Sequence, residues 1–281
     1  MIVTRFAPSP TGRLHLGHAY SAAVAHQAAK AAGGRFLLRI EDLDPTRCRP
    51  EFVEAIEQDL RWLALEWDGE PLVQSERGDA YALALERLKA QGLVYPCFCT
   101  RSDIAAALAA PHAPAAHYPG TCRGLPDDPE QRSTRAHSWR LDAQKAIESF
   151  GLPGWTEGGG RRFEATPEDI DDEILARKDA PASYHLACVL DDAASGVTLV
   201  VRAMDLRPST PVQRLLQALL GLAEPKYLHH QLVLHEDGRR LAKRDLAPTL
   251  QALADSGIDG RRLARDLGVG RLPSGFRLGD T

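Results

Sequence analysis

The run Arg5-Phe6-Ala7-Pro8-Ser9-Pro10-Thr11-Gly12-Arg13-Leu14-His15-Leu16-Gly17-His18 decides how this sequence folds. A short β-branched run, Ile2-Val3-Thr4, precedes it, and an Ala-rich helical run from Ala19 to Ala32 follows. Strand, Pro/Gly loop and helix are therefore expected in that order. Such a loop aims backbone N–H groups and the positive end of a helix dipole at whatever lies above it, which favours phosphate. His15 and His18, at the mouth of the helix, add ring N–H donors. Gly17 has no side chain, so a flat ring such as adenine is expected to lie against the backbone there. The G-x-x-x-x-G-K-[ST] and G-x-G-x-x-G loops are both absent.

The length, 281 residues, allows one large domain or two small ones. A hydrophobic content of 44% and a charged content of 26% are ordinary for a globular protein. A net charge of −4 argues against a generic nucleic-acid binder but leaves room for a local basic face. No basic-then-apolar leader opens the sequence and no apolar run reaches membrane-spanning length, so a cytoplasmic protein with no membrane partner is expected. Five cysteines in such a chain point to reduced thiols and metal rather than disulfides. Cys97, Cys99 and Cys122 fall close together, whereas Cys48 and Cys188 stand alone. Zinc takes about four ligands in a tetrahedron. By spacing, the fourth is Tyr118, His117 or His112, and three buried thiols without metal are the alternative.

Further along, Arg35 to Ile40 reads as a second strand ending in Glu41-Asp42-Leu43-Asp44. Polar groups just past a strand's carboxyl end sit where open α/β sheets bind ligands, and Glu41 there can accept hydrogen bonds from an ammonium group. Phe52, Val53, Ile56, Leu60 and Leu63 recur at helical spacing, a second helix spans about Asp79 to Gln91, and Leu72 to Arg77 reads as a connection. From Leu125 to Ile170 loop signals dominate, with Trp139-Arg140-Leu141 as a short strand, which suggests an insertion hung on the main sheet. The acidic cluster Glu168-Asp169-Asp171-Asp172-Glu173 reads as a solvated face. Val197 to Val201 reads as a buried parallel strand by its β-branched, mostly apolar run, and Arg202 at its end can fork onto a carboxylate while Tyr184 offers a phenol. After a strand at Gln231–Leu234 and a tight turn come Arg239, Arg240, Lys243 and Arg244, a candidate second phosphate loop. Thr249 to about Leu267 reads as helical, with Arg261, Arg262 and Arg265 outward, before the chain trails off.

Taken together, these runs carry a resemblance. Pro8-Ser9-Pro10-Thr11-Gly12 followed by His15-Leu16-Gly17-His18 resembles the first ATP signature of class I aminoacyl-tRNA synthetases of the glutamyl group. The R-I-E-D-x-D-x-x-R run at Arg39–Arg47, the Q-S-x-R at Gln74–Arg77, and the A-S-Y-x-L-A and V-R-A-x-D-L runs around Tyr184 and Arg202 are similar to that group's. Arg240-Leu241-Ala242-Lys243-Arg244 matches the register of its K-M-S-K-S signature, with Arg, Ala and Arg in place of the first Lys, the first Ser and the last Ser. The lost hydroxyl at Ala242 puts loop closure, more than chemistry, in question. C-x-C…Y-x-x-x-C at Cys97, Cys99, Tyr118 and Cys122 resembles the glutamyl-queuosine subgroup, which implies Tyr118 as the fourth ligand of a structural Zn²⁺.

The resemblance implies an α/β fold: a Rossmann-type catalytic domain in two halves (1–95 and 181–245), a zinc-bearing insertion (96–180), a short helical C-terminal segment (246–281) and no anticodon-binding domain. It implies an ATP-dependent ligase. His15, His18 and Lys243 would be catalytic, Pro8, Gly17, His18, Arg240 and Lys243 would hold ATP, and Arg5, Ala7, Ser9, Glu41, Tyr184 and Arg202 would hold L-glutamate. Mg²⁺ would assist. Glutamyl-queuosine tRNA(Asp) synthetases activate glutamate and transfer it to the queuosine base of tRNA(Asp), so a monomer with those partners is expected. A fragment of a conventional glutamyl-tRNA synthetase and an inactive glutamate- or tRNA-binding paralogue are the alternatives. Arg239, Arg244, Arg261 and Arg262 are candidate tRNA contacts by location.

Overall fold

The computed structural model describes residues 1–108, 117–177, 179–241 and 248–279. β1 (Val3–Phe6) and β2 (Arg35–Ile40) pair in parallel, Val3 opposite Arg35 and Phe6 opposite Leu38. α1 (Leu16–Ala31) connects them, and its buried Ala19, Ala22, Ala23, Ala25 and Ala29 let it lie close to the sheet. The helix starts ahead of the Ala-rich run because the histidines cap it. His15 Nδ1 accepts from the Gly17 amide at 3.1 Å, and His18 Nδ1 accepts from the His15 amide at 3.2 Å. Together they form the reciprocal box more often built from Ser or Thr and Glu.

α2 (Pro50–Trp62) opens on a proline, which costs no hydrogen bond in the first turn, and leads to β3 (Leu72–Val73) beside β2, then α3 (Gly78–Ala90). The stretch expected as a connection does more than connect. Gln74, Arg77 and Tyr81 all donate to the wholly buried Asp191, at 2.6–2.8 Å.

An antiparallel unit comes next: β4 (Val94–Cys97), α4 (Arg101–Leu108), α5 (Pro129–Thr134), β5 (Ser138–Leu141), α6 (Ala143–Phe150), the hairpin of β6 (Gly154–Thr156) and β7 (Arg162–Glu164), and β8 (Ile174–Arg177). β5 lies between β4 and β8, as the short strand at Trp139–Leu141 requires. The acidic cluster is not a solvated face throughout. Asp172 is 0% exposed and accepts from Tyr95, Arg123 and the Ala143 amide, while Asp171 accepts from the Tyr118 amide. Charge counting along the sequence does not reveal partners from elsewhere in the chain that turn these two carboxylates inward.

α7 (Tyr184–Ala194), β9 (Leu199–Ala203), α8 (Thr210–Leu219) and β10 (Lys226–His230) return the chain to the main layer. β9 and β10 pair in parallel with Arg202 opposite His229. The Thr198 amide donates to the Val3 carbonyl at 3.0 Å and lays β9 beside β1, giving the order β3-β2-β1-β9-β10. That is the order of a doubly wound nucleotide-binding sheet, whose ligand crevice lies where the connections reverse, at β1 and β9. β11 (Val233–His235), α9 (Leu250–Asp255), α10 (Gly260–Gly268) and β12 (Phe276–Leu278) complete the description. The single helix expected from Thr249 is two, because Gly257 takes φ +85° and Asp259 caps anew. Nor does the chain trail off: β12 pairs antiparallel with β11, Phe276 opposite His235. Three residues alternate too briefly to announce a strand.

One buried carboxylate ties the layer together. Asp192 on α7, 5% exposed, receives Arg5 from β1 and Arg39 from β2 on the same Oδ1, with Arg5 Nε at 2.9 Å. Burial by itself would raise this carboxyl, but the two guanidiniums outweigh it and hold it at about 2, below the ordinary 3.8. A depressed carboxyl contributes stability that is present above about pH 4 and lost as pH falls through about 2. Replacing Asp192 by Asn leaves Arg5 buried and uncompensated, and leaves Arg39 with Glu41 alone. Asp192→Asn is expected to cost about 3–5 kcal/mol at neutral pH, read by urea unfolding, and to flatten the acid limb of the stability profile between about pH 4 and pH 2.

Candidate active site

A cavity of about 710 Å³ opens at the carboxyl ends of β1 and β9. It brings together residues from five separate stretches: Arg5, Ala7, Pro8, Ser9, His15, Gly17 and His18 from the first loop, Glu41 past β2, Tyr184 at the start of α7, Arg202 on β9, and Arg240 after β11. Lys243, like His112 and Arg244, lies outside the described residues. A second hollow of about 360 Å³ shares Ser9, Glu41 and Tyr184 with the first.

The histidine rings are 3.8 Å apart between centroids. Because each Nδ1 accepts a backbone hydrogen bond, the proton of each neutral ring sits on Nε2. Capping the helix and lining the cavity are thus one arrangement. Gly17 lines the cavity as expected of a residue facing a ligand, and a Cβ there would stand 3.1 Å from His15 Cε1, so the missing side chain also makes room for that imidazole.

Two arginines expected at carboxylates play different parts. Arg5 is committed to Asp192 and, at 3.2 Å, to the Val201 carbonyl, so its charge is largely neutralised within the fold although it lines the cavity. Arg202, 5% exposed, is held by neutral acceptors: His229 Nε2 at 3.0 Å, Gln213 at 2.7 Å, Thr210 at 2.8 Å and the Tyr184 hydroxyl at 3.5 Å. Among the described residues no carboxylate lies within ion-pair distance of it. A buried guanidinium without a counter-charge is a receptor for an anion. Glu41 is set by Arg39, whose Nη2 donates to its Oε1 at 2.9 Å. Burial, foremost, pushes the Tyr184 phenol well above its usual range and keeps it a hydrogen-bond donor.

Cys97, Cys99 and Cys122 converge, their sulfurs all within 4.8 Å of one another. The Tyr118 oxygen stands 3.2 Å from Cys97 Sγ and 3.4 Å from Cys99 Sγ, and the Cys99 and Cys122 sulfurs are 3.5 Å apart. Tetrahedral zinc would set sulfurs about 3.8 Å apart and sulfur and oxygen about 3.5 Å apart, from bonds of about 2.3 and 2.0 Å. Burial pushes the Cys99 thiol up to about 11, so a thiolate at that position calls for a cation. The donor set fits zinc, and Tyr118 rather than His117 stands among the sulfurs; His117 instead faces Asp171, at 3.8 Å.

The family model for tRNA synthetases class I (E and Q), catalytic domain, matches residues 1–266. A Rhodobacter capsulatus protein named Glutamyl-Q tRNA(Asp) synthetase is 45% identical over 95% of this chain and all of its own length. The chain belongs to the glutamyl-Q tRNA(Asp) synthetase family of class I tRNA synthetases. A Nocardia farcinica relative of the same name is 47% identical over 88% of this chain and 77% of its own. The crystal structure of a glutamate tRNA ligase from Elizabethkingia meningosepticum in complex with its amino acid is similar with a TM-score of 0.81 at 26% identity. That match covers 96% of this chain, which spans 60% of the ligase's length.

As a member of this family the chain is a ligase, and its motifs leave out several cavity residues. His230 lines the cavity and bonds to Ser21 Oγ at 2.8 Å, with burial lowering its pKa. Arg39, Asp192, Glu157 and His229 act one contact further back. Arg39 belongs to the R-I-E-D-x-D-x-x-R run, but nothing in the spacing joins Glu157 to His229. At the cysteine cluster, elemental analysis is expected to find one zinc per chain. Cys122→Ser should release it and lower the melting temperature by about 2–4 °C for each kcal/mol lost.

Proposed function

We propose that this chain activates L-glutamate with ATP, without tRNA, and transfers the glutamyl group to the queuosine base in the anticodon of tRNA(Asp). The observation that carries this reading is one cavity joining the histidine loop to an unneutralised Arg202, in a chain whose curated relatives are named for glutamyl-Q tRNA(Asp).

The α-carboxylate of glutamate attacks the α-phosphate of ATP in line, a phosphorus–oxygen bond forms, and pyrophosphate leaves. The nucleophile is already an anion, so no general base is required, and positioning and charge stabilisation do the work. Arg202 suits one carboxylate of glutamate, Glu41 its ammonium, and Tyr184 and Ser9 the remaining polar edges. Arg5, bound to Asp192, supports this wall and adds field rather than a free fork. His15 and His18 place Nε2 protons where phosphate charge develops, Arg240 adds a cation, and Lys243 is assigned the triphosphate by register. When bound with the nucleotide, Mg²⁺ would help to neutralise its phosphates. In the second step a hydroxyl of queuosine attacks the adenylate carbonyl, and AMP leaves. Zinc held by Cys97, Cys99, Cys122 and Tyr118 would staple the insertion and take no part in the chemistry, since four protein ligands leave no open position.

Transfer of labelled glutamate is expected to tRNA(Asp) containing queuosine and not to the same tRNA lacking it, with periodate controls run separately because periodate also attacks queuosine's vicinal diol. Label on tRNA(Glu) instead would favour 3′-end charging, a reading that the likeness to a glutamate tRNA ligase keeps in view. Loss of ATP–pyrophosphate exchange as well would sink catalysis. His18→Ala should raise the activation barrier by about 2–4 kcal/mol, the scale of a lost oxyanion donor, with the glutamate KM moving far less than kcat.

A further inference from the structure

Arg202 reaches the cavity from a strand, and what aims it comes from the neighbouring strand and the insertion. Arg202 and His229 face one another across β9 and β10. Arg202 Nε donates to His229 Nε2 at 3.0 Å, and the other ring nitrogen, Nδ1, stands 2.8 Å from Glu157 Oε1. A carboxylate has no proton to give, so Nδ1 carries the hydrogen and Nε2 presents the lone pair that Arg202 needs. One tautomer answers both neighbours. Burial first, and Arg202's charge next, lower the ring's pKa to about 4, so it is neutral at physiological pH. Trp155 Nε1 donates to Glu157 Oε1 at 3.0 Å, and Arg207 lies 3.6 Å from the same oxygen. The Tyr227 ring lies 5.4 Å from the guanidinium carbon of Arg202 and stacks parallel to His229.

A histidine spacer has a consequence that a direct Glu–Arg pair would not. It fixes the guanidinium without cancelling its charge, because the carboxylate at the end of this relay, Glu157, is held one imidazole away. We infer that His229 and Glu157 are positioning residues for substrate selection, holding Arg202 as an oriented, uncancelled cation that reads a carboxylate and rejects the corresponding neutral amide. This rests on the proposed use of glutamate, and glutamine is the amide against which it is measured. Neutral acceptors on Arg202's other N–H groups, Gln213 and Thr210, complete the fixation without adding charge.

The test has one arm that needs no activity. In the full chain labelled with ¹⁵N-histidine, the ring of His229, assigned by its absence in His229→Gln, should show a protonated Nδ1 and a bare Nε2 at pH 7. An Nε2–H tautomer or an imidazolium would overturn the inference whether or not glutamate is turned over. The second arm is ATP–pyrophosphate exchange. His229→Gln keeps an acceptor for Arg202 and a donor for Glu157, and should hold the glutamate KM within about threefold. His229→Glu brings a carboxylate onto Arg202 and should raise that KM by about 30-fold or more, cutting the preference for glutamate over glutamine by a similar factor. Glu157→Gln releases the tautomer and should raise the KM by about tenfold at an unchanged melting temperature, which guards against a His229→Glu protein that fails to fold. An unchanged glutamate-to-glutamine preference in folded His229→Glu, or a Glu157→Gln variant that loses stability but not KM, would refute the inference. A wild-type chain without glutamate-dependent exchange would instead refute the functional reading, and the tautomer would still judge the inference.

Discussion

A single carboxylate, Asp192, holds two guanidiniums from adjacent strands, and the geometry of the cavity depends on it. Arg5 and Arg39 come from β1 and β2, Asp192 from α7, and Arg39 passes the constraint on to Glu41. Burying three charges is costly unless each is paired and hydrogen-bonded. Here the pairing also locks the walls of a ligand site to one another. Asp191, beside it, does the same for the turn after β3 through Gln74, Arg77 and Tyr81. Two consecutive acids on one helix therefore tie β1, β2 and the turn after β3 to α7.

The cavity then uses charge in two distinct ways. Arg5 is spent on the fold, whereas Arg202 is supported, among the described residues, by neutral groups and keeps its charge for what enters. Nothing in the residue type separates these two arginines, since both follow a β-branched run and both line the same space. Only the location of the surrounding acids separates them.

This marks how far the sequence could be read. Local signals were sufficient for β1, β2, β5 and β9, for the first helix and for the convergence of the cysteines, because each rests on periodicity, punctuation or ligand type within a short window. Long-range pairing was not legible. Asp172 looked solvated among other acids until Tyr95, Arg123 and the Ala143 amide met it from elsewhere in the chain. Glu157 and His229 are 72 residues apart, and no pattern on either side announces the contact. Gly17 was legible as an open place in the loop, but that the absent side chain also accommodates the ring of His15 is a close approach within three residues that only the fold reveals. The helical tail failed for a simpler reason, a positive φ at Gly257 inside an otherwise periodic run.

Arg240 forms an isolated bridge with Leu234 of β11, and β11 is held along its other edge by β12. The cation that lines the cavity is therefore cantilevered from a two-ply ribbon whose second ply is among the last segments of the described chain. Damage to Phe276–Leu278, far along the sequence from any motif and touching the cavity lining through the pairing of Leu278 with Val233, would slacken that arm and surface as weakened nucleotide handling. Residues that look dispensable in an alignment of signatures would then behave, in a screen for activity, as though they belonged to the phosphate loop.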